Sequence, residues 1–355
     1  MRKIPYGRQN IDADDIDAVV SVLKSDFLTQ GPIVNQFEEK FARYVGANFA
    51  VAVNNATAAL HLSALALGLK KGDRVITTPI TFAATANCIR YVGAEVWFAD
   101  INPDTYLLDI NSVIELINSK PKGFFKGIIP VDFAGLPVNM EAFRKLANSH
   151  NLWIIEDACQ AIGLKIQKKY SGTVGDLGVY SFDSTKCMTT INGGLLICNN
   201  KTYLKQFKRM KNYLDSSLEN SFSSIQAKLG ISQLNRYDQF VRKRKLIYSK
   251  FYKEFSNINS IKIKKIKKNY LFRFTFKTKI PFKTLEKKFK NEGIIIKKGV
   301  DKVLHVRNKK NDTKYKKTVS TFNETVSIPF YPSLSNTEVK KIINSTKKIF
   351  NDFNN

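Results

Sequence analysis

From residue 49 onward, short apolar runs alternate with segments of helical periodicity. FAVAV (49–53) precedes a helical pattern over 56–68, RVITT precedes one over 83–92, AEVWFAD one over 110–118, and KGIIPVD one over 139–149 that leads to LWIIED. Strands separated by helix-length segments are joined by crossovers, which start each new strand in the direction of the last. Strands as apolar as LWII are those buried on both faces. The pattern therefore predicts an α/β unit with a mostly parallel sheet. GVYSF and GLLICNN add two strands, followed by a helix near 201–213 and a long one from about 222 to 255, where IQAKLGISQLNRYDQFVRKR has apolar residues at helical spacing. Beyond it, YLFRFTFKT alternates like a strand, LEKKFKNEG reads as a helix closed by Gly293, IIIKK as a strand and TEVKKIINSTKKIF as a terminal amphipathic helix. We expect a large domain over 1–240 and a smaller α+β domain over 241–355.

A chain of 355 residues, 43% of them apolar, is long enough for a large core and for about two domains. No run approaches the roughly 18 apolar residues of a membrane span, and Met1-Arg2-Lys3 leads into polar sequence, so a cytoplasmic protein without membrane association is expected. The four cysteines show no CxxC spacing and the three histidines are scattered, which points away from a metal site. The net charge of +27 raises nucleic-acid binding as a reading. Its distribution weakens that reading. Residues 1–200 hold 19 Lys+Arg and 19 Asp+Glu, so of the totals of 57 and 30 the last 155 residues hold 38 and 11. The excess lies in lysine-, asparagine- and isoleucine-rich stretches such as 261–269 and 307–317, which suit a solvated surface, and no nucleic-acid-binding motif accompanies them.

Three motifs follow strands, and in a parallel α/β sheet ligands gather outside the carboxyl ends of strands. In VAVNNATAALHL, Asn55, Ala56 and Thr57 open a helix whose amides and dipole could hold an anion, although Asn or Thr there also serves as an ordinary helix cap. In LWIIEDACQAIG a strand ends in Asp157, with Gln160 three residues on; Asp157 could pair with a buried cation or cap a helix. In VYSFDSTKCMTTINGG, Lys186 follows Ser181 by five residues and precedes Gly193-Gly194. It is an exposed loop lysine or a nucleophile, and a nucleophilic amine must shed its proton through desolvation or neighbouring charge. Together, an anion site, a carboxylate and a lysine suit a cofactor with a phosphate, a cationic ring nitrogen and an aldehyde, which is pyridoxal phosphate.

MRKIPYGRQNIDADDIDAVVSVLKSDFLTQGP, NNATAALHLSALALGLKKGDRVITTPITFAATAN, EDACQAIG and SFDSTKCMTTINGG resemble the DegT-type sugar-nucleotide aminotransferases, of pyridoxal-phosphate fold type I, and most of all the members that act in pseudaminic acid biosynthesis. The likeness is near-complete to residue 200 and patchy beyond, with IQAKLGISQLNRYDQFVRKR and SIPFYPSLSNTEV as later matches. It implies that Lys186 holds the cofactor covalently and shuttles protons, that Asp157 pairs with the ring nitrogen, and that Phe82 stacks on the ring. Ser181, with Asn55, Ala56 and Thr57, would hold the phosphate, and Gln160 would lie near the ring hydroxyl. Tyr6 and Thr29 would contact the substrate. The implied reaction moves an amino group from L-glutamate to the 4-keto carbon of a UDP-linked 4-keto-6-deoxy-N-acetylhexosamine, in a homodimer whose active sites span the interface.

The sequence departs from this family at several places. Asn192 stands where an acidic residue is usual, and Glu219 and Ser221 stand where an Asn-Tyr-Arg motif would put its first and last residues. The segment between Tyr213 and Phe222 is short, and a His-Tyr-Lys-Pro-like motif is not recognisable in 294–306. A glutamate facing a phosphate would repel it. A weakened homologue that keeps the fold as a binding or assembly module is the reading these departures favour, while Lys186 and Asp157 together favour an active enzyme.

Overall fold

The computed structural model describes residues 3–166, 168–213, 220–263, 272–306 and 308–353. The first strands are β1 (Phe49–Val53), β2 (Arg74–Thr77), β3 (Glu95–Phe98), β4 (Gly127–Ile129) and β5 (Trp153–Asp157). A short hairpin of β6 (Lys165–Ile166) and β7 (Lys169–Tyr170) leads to β8 (Leu177–Ser181) and β9 (Gly194–Cys198). Without the hairpin these form one seven-stranded sheet in the order β1-β9-β8-β5-β4-β2-β3. Neighbours from β3 through β8 run parallel, and β9 runs antiparallel to both β8 and β1. The sheet is mixed but mostly parallel, as the alternating pattern predicts.

The apolar runs have a direct structural cause. Ile154, Ile76 and Ile128 pack into one hydrophobic cluster, while their chain neighbours Ile155, Val75 and Ile129 pack into another, so successive side chains feed cores on opposite faces of the sheet. The crossover helices Ala56–Ala66, Ala83–Tyr91, Ile110–Asn118 and Met140–His150 begin within one residue of their expected starts and end within two of their expected ends.

The expected long helix over 222–255 is two helices, Ser224–Asn235 and Tyr237–Phe255, divided at Arg236 (φ −104°, ψ 0°). Arg236 is claimed there by the carboxylates of Asp12 and Asp15, more than 220 residues away in sequence, which no local pattern reveals. Asp15 belongs to helix Ala13–Leu23, which with Pro32–Val45 precedes the sheet. Its docking face carries a charge: Asp15 is fully buried, with Val22 the other buried residue, and accepts from Gln233 Nε2 at 2.6 Å, while Ile16, Val20 and Leu23 face outward.

The last third holds β10 (Phe274–Lys277), β11 (Lys297–Lys298) and β12 (Thr325–Ile328) in an antiparallel sheet ordered β10-β12-β11. Helix Phe282–Asn291 ends before Gly293, whose φ of +73° is the left-handed turn expected of a closing glycine. The strand expected over 294–298 is shorter, because Ile294 pairs instead with Ile4: the Ile4 amide donates to the Gly293 carbonyl and the Ile295 amide to the Ile4 carbonyl. That bridge ties the amino-terminal segment to the carboxyl-terminal unit. One apolar cluster is continuous from Ile76 through Phe251 and Phe274 to Phe350.

One close approach places the first motif. A Cβ at Gly194 would fall 2.4 Å from the carbonyl carbon and oxygen of Asn55 and 2.5 Å from the Ala56 nitrogen. Only glycine lets β9 pass against the start of helix Ala56–Ala66. Gly194→Ala is therefore expected to cost about 2 kcal/mol or more through backbone displacement, read as a lowered urea midpoint.

Candidate active site

A cavity of about 810 Å³ opens beside the carboxyl ends of the parallel strands and extends to the carboxyl-terminal sheet. Asn55, Ala56, Thr57, Phe82, Asp157 and Gln160 line it, as do Ser181, Lys186 and Tyr6. Thr29 does not. It is exposed, and its carbonyl accepts the Ser224 amide at 2.7 Å, which fixes the 28–31 turn to the start of helix Ser224–Asn235 away from this cavity.

At one end of the cavity, Asn55 caps helix Ala56–Ala66 by accepting the Ala58 amide at 2.8 Å. The Ala56 and Thr57 amides have no acceptor among the described residues, as the first amides of a helix do not, and they face a cavity that Ser181 also lines. On the floor, the Asp157 carboxylate accepts from Thr85 Oγ1 at 2.7 Å and from the Cys159 amide at 3.2 Å. Thr85 in turn shares a 2.7 Å bond with Thr81. Asp157 is buried, and among the described residues no Lys or Arg forms an ion pair with it. Gln160 is held by accepting the Ala134 amide at 2.8 Å.

Lys186 is half-buried, with its amide bonded to the Asp183 carbonyl and its ammonium 5.2 Å from the centre of the Phe272 ring. It too lacks an ion-pair partner among the described residues. The Cys159 thiol is pushed well up by burial and by the charge of Asp157, while Lys186 acts in the opposite sense, so the acid and the amine bear on one point of the cavity. Phe82 keeps 72% of its surface exposed, an unusual state for a phenyl ring, and presents it to the cavity. Tyr6 reaches the cavity through the bridge to Ile294 and bonds Ser327 Oγ at 2.9 Å.

Sequence reasoning missed several residues here. Thr85, the donor to Asp157, lies one helical turn from Phe82 in a segment of small residues with no polar signal of its own. Arg244 lines the cavity and is 4% exposed. It stands in the cationic run VRKRK, but helical spacing sets it on the buried stripe of Tyr237, Phe240, Ile247, Phe251 and Phe255. A charge at a core position was the available signal. Arg273, half-buried, is a second arginine of the wall; it donates to Asp301 at 2.6 Å.

The departures fall differently. Asn192 is exposed and lines the cavity; its carbonyl accepts from Gln226 Nε2 at 2.6 Å and its side chain from the Gly193 amide at 3.0 Å. Ser221 is half-buried, next to Asn220, whose carbonyl accepts the Asn54 amide. Glu219 lies outside the described residues. In 294–306, Lys297, Val300 and Leu304 line the cavity in place of the missing motif.

The chain matches the model of the DegT/DnrJ/EryC1/StrS aminotransferase family over residues 9–347. It belongs to that family. Among relatives, the UDP-4-amino-4,6-dideoxy-N-acetyl-beta-L-altrosamine transaminase of Campylobacter jejuni is 37% identical over 75% of this chain and 74% of its own. The GDP-perosamine synthase of Escherichia coli O157:H7 is 30% identical over 99% of this chain and 100% of its own. Among solved structures, the aminotransferase PseC of Helicobacter pylori, described as involved in the biosynthesis of pseudoaminic acid, superimposes with a TM-score of 0.88 at 26% identity, over 99% of this chain and 100% of that one. This DegT/DnrJ/EryC1/StrS member is thus a sugar aminotransferase by family, and the cofactor of the family is pyridoxal phosphate.

The cavity fits that cofactor on its own terms. Among the described residues it offers amides without acceptors for a phosphate, a buried carboxylate without a cation for a ring nitrogen, an exposed phenyl face for a ring, and an amine without a carboxylate for an aldehyde.

Beneath this floor, burial pushes the Asp132 carboxyl well above its ordinary range and the charge of Glu156 adds to the effect. Burial also raises Glu156, against the amides of Gly175, Gly172 and Val174 that it accepts. A carboxyl whose pKa is raised by folding gives the folded state the extra proton, so its stabilising contribution is present at low pH and is lost as pH rises from about 4 through the folded value. Asp132→Asn, neutral at every pH, is expected to lose less stability than the wild type between about pH 4.5 and 8, measured as the pH dependence of the urea midpoint. Glu156 leaves a residual slope of the same sign.

Proposed function

We propose that this aminotransferase moves an amino group from L-glutamate to the 4-keto carbon of a UDP-linked 4-keto-6-deoxy-N-acetylhexosamine, in pseudaminic acid or related amino-sugar biosynthesis. The observation that carries the reading is the shared cavity of Lys186, Asp157, Phe82 and the Ala56–Thr57 amides. The altrosamine transaminase relative supports the UDP-linked substrate over the GDP-linked one of the perosamine synthase through its higher identity over the part it shares.

In this reading Asp157, oriented by Thr85 and the Cys159 amide, holds the proton of the ring nitrogen in place by its charge. Ser181 and the Asn55–Thr57 turn bind the phosphate, Gln160 lies beside the ring hydroxyl, and Phe82 covers one face and keeps water from it. Bound there, pyridoxal phosphate supplies an aldehyde that takes up an amine and a ring that accepts electrons. Lys186 would anchor the cofactor through its amine and would move the proton at the donor's α-carbon as general acid and base. Tyr6 orients the sugar nucleotide.

A homodimer is part of the proposal. Ile16, Val20 and Leu23 form an outward apolar stripe continued by the exposed Phe27 and Leu28, a surface that a second copy would cover. Thr29 borders that stripe, and would serve the partner's cavity.

Purified protein is expected to show a pyridoxal-phosphate absorbance band near the visible edge, abolished by borohydride and absent in Lys186→Ala. L-glutamate should shift the band and a UDP-linked 4-keto sugar should reverse the shift. Asp157→Asn should lower turnover by several powers of ten while keeping the fold. A wild type with no band would overturn the reading, and a band that no amino donor shifts would favour a non-catalytic homologue. For the dimer, Ile16→Asp with Leu23→Asp should halve the mass measured by light scattering; a wild type that is already monomeric refutes it.

A further inference from the structure

Two arginines line the cavity, Arg244 buried and Arg273 half-buried, and they differ in how their charge is met. Arg273 donates to the Asp301 carboxylate and to the Gly299 carbonyl. Arg244 meets no carboxylate among the described residues. Its Nη1 donates to the carbonyls of Phe272 at 3.3 Å and Phe330 at 3.0 Å; among the described residues its Nε is buried without an acceptor and its Nη2 has none, and the residue lines the cavity. The guanidinium is 4% exposed and packs 5.4 Å from the Phe330 ring. A charge so desolvated, held by neutral carbonyls alone, is costly unless an anion completes it.

Position selects the anion. Arg244 bonds the backbone of Phe272, and the Phe272 ring is the one that lies 5.2 Å from the Lys186 ammonium. The site is therefore beside the amine, on the wall made by the carboxyl-terminal unit, whereas the amides of Ala56 and Thr57 belong to the opposite wall built on the large sheet. The exposed Lys297 and Lys302 offer mobile charges for a diphosphate at the mouth. A planar guanidinium with one open edge matches a planar carboxylate. We propose that Arg244 binds a carboxylate of the amino donor. The proposal rests on the aminotransferase reading above.

The test follows the cofactor band of the loaded protein during titration with L-glutamate, beside melting curves with glutarate and with glutaramide, its neutral isostere. Arg244→Met is expected to raise the half-saturating glutamate concentration about 30-fold or more, with the band before addition unchanged. Arg244→Lys, which keeps the charge but not the fork, should fall between. Glutarate should raise the melting temperature of the wild type more than glutaramide does, and Arg244→Met should lose that difference. Unchanged glutamate dependence in a folded Arg244→Met overturns the proposal, as does equal protection by glutarate and glutaramide in the wild type, a comparison that needs no variant to fold. A wild type without any cofactor band removes the aminotransferase reading instead, and the glutarate comparison still decides the fate of Arg244.

Discussion

The cavity is defined by charges that the fold buries without neutralising. Asp157 takes two neutral donors and no cation, Arg244 takes two neutral carbonyls and no anion, and Lys186 lies over an aromatic ring without a carboxylate. Each arrangement costs desolvation energy that a salt bridge within the chain would recover in part. Elsewhere the fold pairs several sheltered charges, Arg236 with Asp12 and Asp15 and Glu38 with Lys211 at 3.4 Å, and within the cavity Arg273 is paired with Asp301. The contrast marks Asp157, Arg244 and Lys186 as groups whose electrostatics a ligand, rather than the protein, would complete.

Those unpaired groups stay apart because each is held by a separate rigid element. Asp157 ends β5, Lys186 follows β8, Arg244 rides the helix Tyr237–Phe255, and the helix start at Asn55 is pressed against β9 through Gly194. The neutral hydrogen bonds serve as struts: Thr85 and the Cys159 amide fix the carboxylate, and the two carbonyls fix the guanidinium.

How much of this could be read in the chain depends on the range of the causing interaction. Strands such as LWIIED are legible because their burial on two faces writes consecutive apolar residues. Gly293 is legible as a helix stop because a left-handed turn is a local demand. The division at Arg236 is not, since its cause sits in Asp12 and Asp15. Helix Ala13–Leu23 departs from the usual rule by burying Asp15 beside Val22 and exposing Ile16, Val20 and Leu23, so most of its large apolar residues point away from the core of its own chain. In the candidate site, residues that follow strands were found by position, whereas Arg244 was hidden by neighbours that share its charge but not its burial, and Thr85 by the small residues around it.

The positive charge of the second half reads differently beside this geometry. Lys297 and Lys302 stand at the mouth of the cavity, but Arg242, Lys243 and Lys245 flank Arg244 on the exposed faces of its helix. Three of the four cations in that run are solvated, and each is interchangeable with its neighbours in water. The fourth is not, because it alone sits where the dielectric is low and no counter-charge is supplied. Charge number therefore says little about what this half of the chain recognises; a single buried guanidinium says more, since in that setting each missing partner is felt at close to full strength.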